Sequence, residues 1–237
     1  MAQNKRFDLT EGRVVTKLIQ MAFPIMGIQL FQMLFNLIDM FLLGRISSDA
    51  VAASGTAGMF VWLSVAFLVV GGMGAELGVA HRLGEKRPGE AIRFSQNGTL
   101  LALVFGCVYG AVLIFFSPQL IRVLGVQEAN VVADGAAYLA ILGIGMPFNF
   151  ITSALSGTYK GAGNSKFSSL VIASGLAFNI VLTPFFIYAF GIRGAAAATV
   201  ISQFYIMCAF FVSLKCYKNV LLSNIYYGIY LSLSWFI

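Results

Sequence analysis

The chain has 237 residues, of which 59% are apolar and 10% charged, and its mean hydropathy is +0.87. A soluble domain carries roughly 25% charged residues, so an ordinary water-facing globule and a disordered chain are both excluded. The net charge of +6 argues for membrane topology rather than a phosphate-binding face in a chain this apolar, and no nucleic-acid partner is expected.

Metal and nucleophile chemistry have little to work with. Cys107, Cys208 and Cys216 are scattered or sit in apolar runs, and His81 is the single histidine. No CxxC pair and no Cys/His cluster is present, so a metal site, a disulfide framework and Ser–His catalysis are not expected. An intramembrane hydrolase would need a base paired with a nucleophile, and His81 has none beside it. The reading is therefore of a protein that is not an enzyme and carries no cofactor.

Six continuous apolar runs are long enough to cross a bilayer, which takes about 20 residues each. They lie near 18–43, 51–79, 99–117, 131–156, 168–189 and 194–214. Residues 1–17 precede them and 215–237 follow. The runs are continuous, not alternating, which predicts an all-α membrane protein and not a β-barrel. The first run is too long for a cleavable signal peptide and contains Asp39.

The basic residues sort by side. Lys5, Arg6, Arg13, Lys17, Arg82, Lys86, Arg87, Arg93, Lys160, Lys166, Lys215 and Lys218 fall on one side of the six-span layout, against Arg45, Arg122 and Arg193 on the other. The positive-inside rule then places both termini in the cytoplasm. The localisation expected is multi-pass in a plasma membrane or a bacterial inner membrane. The segment VLLSNIYYGIYLSLSWFI after Lys218 reads as the start of a seventh span, as an interfacial segment, or as the end of a truncated frame.

Polar groups inside a span are costly and face protein or a water-filled cavity. In the first span Gln29, Gln32, Asn36 and Asp39 recur at spacings of three, four and three, which puts them on one helical face. Helix–helix hydrogen bonding is the plainer reading for the amides. Asp39 reads as functional, because a carboxylate is a weak structural glue and a good titrating group. Asp39 lies about 30 Å along its span from the cytoplasmic end, in the outer half. Asn179 in the fifth span and Thr199 in the sixth fall in the same half. Thr183 shares the face of Asn179, and Gln203 that of Thr199. Together they predict an oxygen-rich pocket for a proton or small cation. In the fourth span Asn149, Thr152, Ser153 and Ser156 form a second polar face, equally readable as internal hydrogen bonding. Glu76 reads as a helix-end carboxylate close to Arg82, His81 as an interfacial residue, and Asp134 as an acid at a helix N-terminus. Pro24 predicts a kink or hinge in the first span, and Pro184 loosens the fifth beside Thr183. Phe31, Met33 and Phe35 are candidate apolar contacts.

Four stretches carry a resemblance to a known family. FPIMGIQLFQMLFNLIDMFLLGRIS, GMGAELGVAHRLGEKRPGEA, ALSGTYKGAGNSKFSS and FNIVLTPFFIYAFGIRGAAAATVISQ, in this order over residues 8–214, resemble the first six helices of multidrug and toxic compound extrusion (MATE) transporters. The resemblance implies a secondary antiporter that expels lipophilic, mostly cationic compounds in exchange for protons or sodium. It implies that Asp39 is the coupling carboxylate, with Asn179, Thr199, Asn36 and Thr183 around it, and that Pro24 is the bending proline. Gln29, Gln32, Asn149 and Thr152 are then expected along the substrate cavity. A sodium ion would sit at Asp39 and Asn179. Many members carry a second Asp where this chain has Thr183, which weakens the case for sodium and favours protons.

The resemblance also implies two six-helix lobes where this chain has one, so a second lobe, from another copy or a separate chain, is an expected partner beside the small-molecule substrate and the bilayer. A flippase for lipid-linked oligosaccharides is the nearest alternative, but it would want cationic residues inside its cavity, and here Lys and Arg lie at or beyond the span ends. A truncated, non-transporting lobe is the other alternative.

Overall fold

The computed structural model describes the backbone of residues 14–216, with side chains from 22 to 213 apart from Pro24, Ile25, Ile28, Phe31 and Phe35. Six helices follow one another: α1 (Val14–Gly44), α2 (Ser48–Gly84), α3 (Pro88–Val123), α4 (Ala129–Gly161), α5 (Ser165–Phe190) and α6 (Ile192–Cys216). The hinge expected at Pro24, the apolar contacts at Phe31 and Phe35, and the segment after Lys218 fall outside the described side chains or residues. Each predicted apolar run lies inside one helix. The helices exceed the runs because hydropathy marks only their hydrocarbon-facing part. α2, at 37 residues, carries its last turn through His81 and Arg82. Helices α2 to α6 are each long and apolar enough to cross a membrane, and α1 has 31 residues.

Local chemistry sets the helix ends. The Ser47 hydroxyl caps α2 by accepting from the Ala50 N–H at 3.0 Å. Pro88 opens α3, where its missing N–H costs nothing. The Asn164 side chain caps α5 through the Phe167 N–H at 3.4 Å. Gly163 (φ 80°) and Gly191 (φ 60°) supply left-handed turns after α4 and α5. The connections are therefore one to five residues long, and successive helices run antiparallel.

α4 is the hub. It packs against α2, α3, α5 and α6, and 56% of its most apolar stretch is buried, against 22–28% for the other four spanning helices. Small residues make this possible. α2 runs parallel to α4, with Gly72 against Ser153 and Gly157, and the Glu76 carbonyl against Gly161. α3 runs antiparallel to α4. Ser95 meets Thr158 through a buried hydroxyl pair at 2.8 Å, Gly106 meets Pro147, and Gly110 meets Gly143. α6 runs parallel to α4, with Val200 and Gln203 at Gly145, Phe204 at Phe148, and Phe210 at Tyr159. α5 pairs antiparallel with α6, with Gly175 at Ile206 and Phe178 at Tyr205. α1 packs on α5 and, less extensively, α2. In a bilayer, helices gain from close van der Waals packing and interhelical hydrogen bonds, since lipid is as apolar as they are. The outer faces fit that solvent: Trp62, Val70 and Phe115 are each more than 70% exposed.

The Ser95–Thr158 pair gives a direct test. Ser95→Ala leaves a buried hydroxyl short of one partner, and a loss of about 0.5–1.5 kcal/mol in unfolding free energy is expected in detergent. Thr158 also donates to the Ala154 carbonyl, which keeps the loss at the low end.

The turn between α2 and α3 holds a charge cluster. Arg82 pairs with Glu85 (2.9 Å) and Glu90 (3.1 Å), Arg87 with Glu90, and His81 with Glu85 (3.2 Å). Glu76, read as a helix-end carboxylate close to Arg82, makes no ion pair with it among the described residues. Glu85 lies one turn beyond Arg82 and pairs with it, while the Glu76 backbone carbonyl lies against Gly161 on α4. The hydrogen bond from Arg82 holds the Glu85 carboxyl below its ordinary value of 4.5. Its stabilising effect is therefore complete above pH 4.5 and fades as pH falls through the lower folded value. Because these groups are exposed, the effect is small and is further reduced by salt. Melting curves from pH 6 to 3, with and without 1 M salt, are expected to converge at the acid end.

Candidate functional site

The polar face of α1 opens onto a groove. Gln29, Gln32 and Asn36 are exposed and, with Met33, Leu37 and Met40, line an open cleft of about 340 Å³. Hydrocarbon is a poor neighbour for three amides, so this face suits water, a solute or another protein surface. Thr152, expected along the same cavity, is instead 9% exposed and packed inside the lobe. Asn149 is half-buried on α4.

One turn beyond Asn36, Asp39 is half-buried, and its Oδ1 is fully buried with no hydrogen-bond partner among the described residues. A carboxylate oxygen in that position is set up to take a proton or a cation. The Tyr138 hydroxyl on α4 lies within electrostatic reach of it. Tyr138 is a site residue that the sequence did not single out. A tyrosine in an apolar run reads as packing, and only the folded lobe puts it within electrostatic reach of a carboxylate.

Asn179 and Thr183 are both buried on α5, four residues apart, and the Thr183 hydroxyl donates to Asn179 Oδ1 at 3.0 Å. Pro184 follows, within the helix. The antiparallel register of α5 and α6 sets this pair at the level of Thr199 and Gln203. The Thr199 hydroxyl is turned back to the Ala195 carbonyl at 3.1 Å. Gln203 Oε1 is buried beside Gly145 and has no partner among the described residues. The structure thus joins Asn179 to Thr183 by a hydrogen bond. No hydrogen bond among the described residues ties Asp39 to Asn179 or Thr199. Asn179→Ala would strip Thr183 of its acceptor and is expected to lower the unfolding free energy by about 1–2 kcal/mol, readable by melting in detergent.

On the second polar face of the fourth span, the packing reading holds for the two serines. Ser153 donates to the Leu68 carbonyl at 3.0 Å and Ser156 pairs with Ser168 at 2.7 Å. Thr152 Oγ1 is buried without a partner among the described residues. Arg45, Arg122 and Arg193 are exposed at helix ends, and Arg45 lies over the Phe41 ring at 5.0 Å.

This arrangement matches a known family. The MatE family model covers residues 24–185. The chain belongs to the MatE family. It is 28% identical over 194 residues to the probable multidrug resistance protein NorM of Thermotoga maritima, covering 79% of this chain and 42% of that protein. It is 29% identical over 202 residues to the probable multidrug resistance protein YpnP of Bacillus subtilis, covering 84% of this chain and 45% of the relative. Among solved structures, a crystal structure of MATE in the straight conformation superposes with a TM-score of 0.82 at 25% identity, over 93% of this chain and 49% of the other. The chain therefore spans about half the length of the MatE relatives it matches. It is a multi-pass integral membrane protein with the fold of one six-helix half of a MATE transporter. MatE family members are transporters, and the relatives named above carry multidrug resistance in their names.

Proposed function

We propose that this chain forms one half of a secondary antiporter that exports lipophilic, cationic compounds in exchange for a proton or a sodium ion taken up at Asp39. The observation that carries the reading is the buried Oδ1 of Asp39, without a partner among the described residues, next to Met40 of an open groove lined by amides and methionines. An ionised Asp39 attracts the cation into that groove, where Met33, Leu37 and Met40 offer soft apolar contact. Arrival of a proton or sodium ion cancels the charge, and the substrate loses its main electrostatic hold. Asn36, on the same face, and the Asn179–Thr183 pair rearrange around the neutralised group, and α1 bends near Pro24. Thr183, where a second carboxylate would strengthen a sodium site, favours the proton. A second six-helix half, from another copy or a separate chain, completes the cavity and lets the two halves rock between openings. Both chain ends face the cytoplasm in this arrangement.

The test is transport of a lipophilic phosphonium dye by the full-length chain in proteoliposomes, under an imposed proton gradient and, separately, a sodium gradient. Dye movement that follows one gradient and stops when it is collapsed is the expected result. Equal movement with and without either gradient would overturn the antiport reading.

A further inference from the structure

The turn between α2 and α3 has committed its carboxylates. Glu85 gives one oxygen to His81 at 3.2 Å and the other to Arg82 at 2.9 Å, and Glu90 gives one to Arg82 at 3.1 Å and the other to Arg87 at 3.5 Å. Arg93, three residues past Glu90 on α3, is exposed and makes no ion pair among the described residues. The face of α3 on which it stands follows from what the other faces touch. Ser95 pairs with Thr158, and Gly106 and Gly110 meet Pro147 and Gly143, which turns that side to α4. Phe94 lies over Gly78 and Gly98 lies at Ala75, which turns a second side to α2. Arg93, Asn97, Leu100, Val104, Val108 and Phe115 recur at spacings of four, three, four, four and seven on the remaining side. All six are exposed, the four apolar ones by 46%, 51%, 59% and 76%. A cation and an amide thus stand above a continuous apolar strip. Asn97 and Arg93 lie about 4.5 and 10.5 Å beyond Leu100, across the headgroup layer of about 5–8 Å that flanks the hydrocarbon core of a bilayer.

We propose that Arg93 and Asn97 bind the headgroup of an anionic phospholipid, whose acyl chains lie along Leu100, Val104 and Val108. The guanidinium fork matches two oxygens of a phosphodiester. Asn97, one turn closer to the hydrocarbon, donates to the phosphate or accepts from a headgroup hydroxyl. The other described cations of this turn are poorer hosts. Arg82 and Arg87 are held by carboxylates, which they would have to release. Lys86 is exposed in the turn itself, after α2 ends and before α3 begins, with no apolar helix face beneath it. Arg93 combines an uncommitted charge with an apolar strip. That strip is what favours a lipid over a free anion: an exposed apolar helix face in a bilayer meets acyl chains, and a lipid lying there brings its phosphate to the level of Arg93 and Asn97. A zwitterionic headgroup carries its own ammonium beside the phosphate, which offsets the attraction, so a lipid of net negative charge is selected. The proposal is independent of Asp39 and of the transported cation.

The test is native mass spectrometry of the full-length chain, titrated in detergent with phosphatidylglycerol or with phosphatidylcholine. The wild-type chain is expected to retain phosphatidylglycerol more tightly. Arg93→Gln is expected to weaken that retention by about fivefold, the effect of one cation at an anionic surface, and Asn97→Leu by about threefold. Arg93→Lys keeps the charge without the fork and is expected to fall between wild type and Arg93→Gln. Lys86→Gln removes the same charge from the same turn, off the apolar strip, and should leave retention unchanged. Matching melting temperatures show that these exposed substitutions leave the lobe folded. Equal retention of the two lipids by the wild-type chain overturns the site. So do equal losses in Arg93→Gln and Lys86→Gln, which would reduce the effect to net charge. Glycerophosphoglycerol, the same headgroup without acyl chains, is expected not to bind, and binding as tight as that of the whole lipid would overturn the lipid assignment in favour of a free anion.

Discussion

Gly157→Val is expected to destabilise the lobe more than any other single substitution considered above, by about 3 kcal/mol or more. Gly157 lies against the Gly72 carbonyl, and Gly161 against that of Glu76. Here backbone meets backbone, so no rotamer change can make space, and α2 and α4 must separate along their shared length. That contact is also the one through which α2 reaches the hub of the lobe. Folded domains are stable by only about 5–15 kcal/mol, so the loss is a large fraction of the whole. Gly74→Ala, two residues from Gly72 on the exposed side of α2 and with open space around its Cβ position, is the matched control and should be neutral or slightly stabilising, as Ala is the better helix former. Unfolding in detergent with both variants separates the packing argument from a general intolerance of side chains at glycine.

Asp39→Asn carries the largest functional effect. The substitution keeps the shape and removes the charge, and with it the electrostatic hold on a cationic solute and the ability to exchange a proton. Hydrogen bonds to charged groups are worth about 1.5–3 kcal/mol, so gradient-driven export is expected to fall by about a hundredfold, to the level of leak. The fold should survive, because Asp39 Oδ1 has no partner to lose among the described residues. Normal melting with absent export would place the defect at the exchange step. Normal export would remove Asp39 from the mechanism.

Some of this was legible in the sequence because the bilayer imposes few solutions. Continuous apolar runs gave the helices, and the three-four-three spacing from Gln29 to Asp39 gave a polar face that the structure does open onto a groove. The α5 pair was legible too, since Asn179 and Thr183 are one helical turn apart and need no tertiary information to meet. What was not legible depended on how separate helices register. Tyr138 reads as packing until the fold puts it within electrostatic reach of Asp39. Thr152 reads as a cavity residue from its face alone, yet α4 is the hub and buries nearly every face. The unpartnered Gln203 oxygen depends on Gly145 lying opposite it, which follows from the parallel packing of α4 and α6. Thr199 shows the reverse limit: a hydroxyl at the expected depth can still spend its hydrogen bond on its own helix.

In the proposed antiporter a single carboxylate, Asp39, trades a proton for a cationic solute. The most direct measurement is proton release, read with a pH dye in weakly buffered solution, as a lipophilic phosphonium cation binds the full-length chain. Close to one proton per cation bound is expected near the pH at which Asp39 is half protonated, and none from Asp39→Asn. Equal release from both proteins would contradict it.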